Sequence, residues 1–106
     1  MKKYKVEITN PAVQDLRESY LWGCKQWGVK QAKQWLRQAQ QAAYSLSELP
    51  SRHSLVPQDV QEELGVEVRQ MIFQRYRLLF TIQKNTVYVL HVRGAFQGSV
   101  SKEDQA

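Results

Sequence analysis

Residues 11–48 constrain the fold more than any other part of this sequence. Ala12, Leu16, Tyr20, Gly23 and Trp27 recur at steps of three and four, which places them on one face of a helix. Asn10-Pro11 reads as its start, with Asn at the N-cap and Pro at the first helical position. Gly28 is the natural stop. Val29, Ala32, Leu36, Ala39, Ala43 and Leu46 then repeat the same spacing at once. Lys30, Lys33, Gln34, Arg37, Gln38 and Gln41 fill the wet side of this second helix. A connection that short folds two helices back on each other as an antiparallel hairpin.

What flanks the hairpin alternates with period two. Tyr4, Val6 and Ile8 alternate with Lys3, Lys5 and Glu7, the pattern of a short half-buried strand. Leu49-Pro50 closes the second helix, and residues 51–65, with Pro57 and Gly65, read as a connecting loop. Strands are expected at residues 66–73, 76–83 and 86–93, with Lys84-Asn85 as the last turn and Gly94 as the stop. The order β-α-α-β-β-β predicts an α+β domain, a helical hairpin packed on one side of a small antiparallel sheet. The domain is assigned to residues 1–97, and the polar residues 98–106 read as a flexible tail.

A chain of 106 residues supports one modest core. No apolar run approaches the roughly 20 residues needed to span a bilayer. The charged start Met1-Lys2-Lys3-Tyr4-Lys5 has no apolar stretch behind it, so no export signal is read there. Cys24 is the single cysteine, which excludes an internal disulfide and fits a reducing cytoplasm. His53 and His91 are the only histidines, too few for a metal site; no metal and no cofactor are expected. Trp22, Trp27 and Trp35 at helical spacing read as core or edge packing rather than base-stacking platforms.

The net charge of +5 points to an anionic partner, either nucleic acid or an acidic protein. Its distribution says more. Asp59, Glu62, Glu63 and Glu67 cluster, whereas no acid falls between Val68 and Lys102. Arg69, Arg75, Arg77, Lys84 and Arg93 all lie in that acid-free stretch. Arg77 is the strongest single candidate. It either clamps a phosphate or carboxylate bidentately or pairs with Glu67 or Glu63. His91 has the chemistry of a general acid or base, but a strand histidine between Leu90 and Val92 is more often a satisfied side chain. Strand register decides whether these groups meet. With a plain two-residue turn at Lys84-Asn85, Arg77 faces Val92; a bulge or a longer loop brings Arg77 opposite Arg93.

These stretches also carry a resemblance. Ala12-Val13-Gln14-Asp15-Leu16, Tyr20 and Gln26-Trp27-Gly28-Val29-Lys30-Gln31-Ala32 resemble the first helix and helix junction of ParE-type toxins. Val68-Arg69-Gln70-Met71, Tyr76-Arg77-Leu78-Leu79-Phe80-Thr81-Ile82 and Val87-Tyr88-Val89-Leu90-His91-Val92-Arg93 resemble the terminal strands of the RelE/ParE superfamily. The resemblance implies the same β-α-α-β-β-β fold and the toxin of a type II toxin–antitoxin system. It also implies a growth inhibitor, of the kind linked to plasmid stabilization, that a cognate antitoxin neutralises in a hetero-oligomer. ParE-like members poison DNA gyrase and are not themselves enzymes; RelE-like members cut mRNA on the ribosome.

By this resemblance Arg77 matches the arginine that RelE-like nucleases place at the phosphate. Their two upstream lysines fall near Val68 and Gln70, and their terminal acid falls at Ala95 and Phe96. Phe96 is able to stack on a base but not to donate a proton. The helix junction favours gyrase as the target, although Gly94-Ala95-Phe96-Gln97 lacks the basic tail common in ParE-like chains. Two alternatives stay open: a ribosome-dependent mRNA endonuclease, and a non-toxic family member that only binds antitoxin or nucleic acid. Expected contacts to target or antitoxin are Arg69, Arg75, Arg77, Arg93 and Phe96; Arg77 and His91 would be catalytic in a nuclease.

Overall fold

A computed structural model describes residues 3–94. The chain runs β1 (Lys5–Ile8), α1 (Asn10–Trp27), α2 (Val29–Tyr44), α3 (Gln58–Leu64), β2 (Arg69–Phe73), β3 (Tyr76–Gln83) and β4 (Thr86–Gly94). Short 3-10 turns at Ser45–Ser47 and Pro50–Arg52 follow α2. The expected α+β order holds, with one short helix added.

Gly28 makes the hairpin. Its φ of 96° lies where L side chains are strained, and its N–H closes α1 on the carbonyl of Cys24. Helix α1 begins one residue earlier than the sequence suggests. Thr9, not Asn10, is the N-cap, and it makes no side-chain cap. Its hydroxyl instead donates to the carbonyl of Val89 at 2.8 Å, tying the start of α1 to β4.

The sheet order is β1-β4-β3-β2. Strands β2, β3 and β4 are antiparallel as expected, but β1 pairs with β4 in parallel, so the sheet is mixed. Alternation of apolar residues reports which face is buried, not which way a strand runs. The hairpin buries Leu16, Trp35, Ala39 and Ala43 against Met71, Tyr76, Leu78, Phe80, Val87, Val89 and Val92. Tyr76, Leu78, Phe80 and Ile82 form the face of β3 that packs there.

The segment read as a connecting loop is a second cover. Val56 and Val68, with Val60 and Leu64 of α3, pack on Leu79 and Leu90. Leu79 alternates with Leu78 and Phe80 along β3, so these contacts lie on the opposite sheet face. Helices therefore cover both sides of the sheet. Gly65, at φ 78°, ends α3 in the left-handed conformation.

Candidate anion-binding face of the terminal strands

The β3–β4 hairpin closes on two residues, Lys84 and Asn85, with Gln83 paired to Thr86. Lys84 supplies the left-handed φ of 58° that a glycine would adopt freely. From the turn, pairing runs regularly to Phe80 and Val89. There the register shifts: Leu79 pairs with His91, and Leu90 is the extra residue of a bulge. Beyond it, Arg77 lies directly opposite Arg93. Of the two registers open from the sequence, the bulged one forms.

Two guanidinium groups thus share one sheet face, beside the exposed Ile72 that pairs with Arg77 on β2. Neither arginine has a carboxylate within ion-pair reach among the described residues. Arg77 does not pair with Glu63 or Glu67. Its Nη1 makes only a long contact of 3.4 Å with Oε1 of Gln70. Like charges placed opposite one another on neighbouring strands destabilise a sheet. A pair left uncompensated in this way is suited to a phosphate or carboxylate.

His91 sits one row inward and is held from α1. Oδ2 of Asp15 lies 3.1 Å from Nδ1 of His91 and accepts the Val92 N–H at 2.9 Å. Strand β1 has ended at Ile8, which pairs with Val89, so this N–H has no strand neighbour on that side. Asp15 fills the place of the missing strand and pins the residues next to the bulge. With Nδ1 as the proton carrier toward Asp15, Nε2 keeps its lone pair.

The other predicted residues are dispersed. Arg69 pairs with Phe80, on the core-facing side of the sheet, and its Nη1 donates to the carbonyl of His53 at 2.6 Å. Arg75 is exposed in the β2–β3 turn. Phe96 and the tail lie outside the described residues. His53 stands edge-on to the ring of Phe80. Desolvation, and then the charges of Arg52 and Arg69, hold its pKa below the usual histidine value. Asp15 is the residue that sequence reasoning missed; it lies 76 positions from His91, and nothing local signals the contact. Among the described residues, no group of three His, Cys, Asp or Glu side chains could hold a metal ion. No helix among them is long and apolar enough to cross a membrane.

A second surface lies between α1, α2 and β1. It is an apolar groove of about 490 Å³, walled by Val6, Ile8, Leu16, Tyr20, Leu36 and Tyr44. Arg17 and Glu7 stand at its edge.

An apolar groove and an uncompensated arginine pair thus lie on separate surfaces of a helical-hairpin and sheet scaffold. The family model for the ParE toxin of the type II toxin–antitoxin system parDE matches residues 6–95, and the chain belongs to that family. It is a toxin of the type II class. Solved structures that share the fold include two toxin–antitoxin systems. The chromosomal ParDE toxin–antitoxin system from P. aeruginosa aligns with a TM-score of 0.73 at 14% identity, covering 89% of this chain and 98% of that one. The RelBE2 toxin–antitoxin complex from Mycobacterium tuberculosis aligns with a TM-score of 0.66 at 22% identity, covering 89% and 93%. No curated protein matches the sequence significantly.

Proposed function

We propose that the chain is a ParE-like poison of DNA gyrase, held inactive by a cognate antitoxin. The family match over residues 6–95 carries this reading. The site is consistent with it. Arg77 and Arg93 offer anion binding, and a poison needs to hold its target rather than transform it. The antitoxin's apolar side chains would occupy the groove between α1, α2 and β1, where Val13 and Tyr44 are about half exposed. Its acidic residues would meet the basic strand face.

One observation favours a second reading, a ribosome-dependent mRNA endonuclease. Asp15 orients His91 so that Nε2 is available as a base, two residues from Arg93. Two assays on the purified chain separate the readings. Stalled gyrase–DNA complexes without RNA cuts support the first. Codon-linked mRNA cuts that appear only with ribosomes, and vanish in His91→Ala, support the second. Neither effect would leave a binding module and sink both.

A further inference from the structure

The end of α1, helix α2 and the turn between β2 and β3 border an open cavity of about 450 Å³, lined by Trp27, Gln31, Gln34, Trp35, Gln38 and Gln74. It shares no residue with the apolar groove or with the arginine pair. No charged side chain lines it. Whatever enters is therefore recognised by ring surface and by amides, each of which both donates and accepts hydrogen bonds.

Trp27 is fixed there. A Cβ on Gly23 would meet its ring at 3.0 Å, so the indole lies directly on the backbone of α1. The ring of Trp22 meets it edge-on at 5.4 Å. Held on these sides, Trp27 is still 44% exposed. The expected core or edge packing holds for both: Trp35 is 5% exposed in the core, and Trp27 packs at the edge with ring surface left open. Across the cavity, the amides of Gln38 and Gln74 approach to 3.4 Å, linking α2 to the turn. Gln74 does so from a φ of 56°, a backbone conformation a glutamine adopts at a cost.

The rim is cationic. Helix α2 contains no acid. Lys30 and Arg37 lie one helical turn on either side of Gln34, and Arg75 follows Gln74. A neutral interior with a flat ring, bordered by cations, matches a ligand that is neutral where it is planar and anionic where it is linked. A neutral sugar would leave the rim unused, and the stacked bases of a duplex present no ring face.

We propose that this cavity takes an unpaired base of a single-stranded nucleic acid. The base stacks on Trp27 and presents its edge to Gln34, Gln38 and Gln74, while the flanking phosphates meet Lys30, Arg37 and Arg75. The site stands apart from the choice between gyrase and ribosome.

Fluorescence anisotropy of short labelled single strands, DNA and RNA, tests it on the full chain, with the duplex of the same sequence for comparison. Single strands should bind more tightly than duplex. Trp27→Ala should weaken binding about 5- to 100-fold, and Trp27→Phe should retain most of it. The double variant Gln34→Ala, Gln38→Ala changes only exposed side chains and should weaken binding several-fold. Lys84→Ala removes the same charge as an arginine substitution, at the opposite end of the sheet, and should not. If Trp27→Ala does not fold, the glutamine double variant decides. Full affinity in that double variant, equal affinity for duplex, or displacement of the strand by a neutral oligosaccharide would overturn the proposal.

Discussion

Arg77 and Arg93 repel each other across β3 and β4, and among the described residues no carboxylate relieves the repulsion. Removing either charge should therefore leave stability unchanged or raise it, by up to about 1 kcal/mol. Arg77→Ala should nevertheless reduce toxicity more than Lys33→Ala, an exposed charge on α2 away from the strand face. Growth assays at matched expression, with melting curves of both variants, check this. Toxicity lost together with several degrees of melting temperature would assign Arg77 to the fold instead. His53 makes a separate prediction. Its folded pKa lies below the unfolded one, so protonation favours the unfolded chain. The stability it contributes is complete above the ordinary histidine pKa of about 6.5 and is lost as pH falls through the depressed folded value. His53→Gln should flatten the decline in melting temperature between pH 7 and pH 5; parallel curves for the two proteins would refute it. Of these side chains, the arginines and His91 were legible in the sequence, because an acid-free run is visible without a structure. Their partners were not. Arg69 reaches a backbone carbonyl and Asp15 a histidine on another element, and such contacts leave no trace in spacing.

At the scale of elements, the bulge in β4 makes the site. A regular ladder would set Arg77 opposite Val92, and the extra residue Leu90 advances Arg93 into that place. Two contacts flank the bulge. Thr9 binds the carbonyl of Val89 through both its N–H and its hydroxyl, and Asp15 takes the N–H of Val92. Asp15→Ala should leave that donor unpaired in a half-buried position and cost about 1–2 kcal/mol. Asp15→Asn keeps an acceptor and should cost less. Denaturant unfolding gives the magnitudes, and the contact between the Leu78 and Val92 Cα protons in NMR spectra reports the register, because the Val92 N–H points away from β3 and leaves these two residues a non-hydrogen-bonded pair. If Asp15→Ala is as stable as the parent and keeps that contact, Asp15 has no part in holding the bulge. Periodicity was enough to read α1, α2, β3 and β4, which are long and strongly patterned. Helix α3 escaped it, because seven residues carry only Val60 and Leu64 toward the sheet. The bulge was visible only as one of two registers, since the residues around it, Val89, Leu90 and Val92, are apolar on both faces and fit either.

For the whole molecule, a net charge of +5 and two separated surfaces frame how an antitoxin would be captured. Charge acts at a distance and the groove acts on contact, so the two should appear in different rate constants. Attraction between an acidic antitoxin and the basic strand face should speed encounter, while apolar anchors in the groove should slow release. At 0.15 M salt the Debye length is about 8 Å, so only the steering between separated charges is strongly screened. Arg69 is left out of this set, because it lies on the core-facing side of the sheet, away from Arg77 and Arg93. Replacing Arg75, Arg77 and Arg93 with Ala should lower the association rate and flatten its dependence on salt, with a smaller effect on dissociation. Leu36→Ala and Tyr44→Ala in the groove should do the reverse, raising the dissociation rate and leaving the salt dependence as it was. Association and dissociation kinetics with the cognate antitoxin over a salt series measure both. An association rate indifferent to salt and to the three arginines would remove the strand face from antitoxin capture. A dissociation rate indifferent to the groove variants would remove the groove.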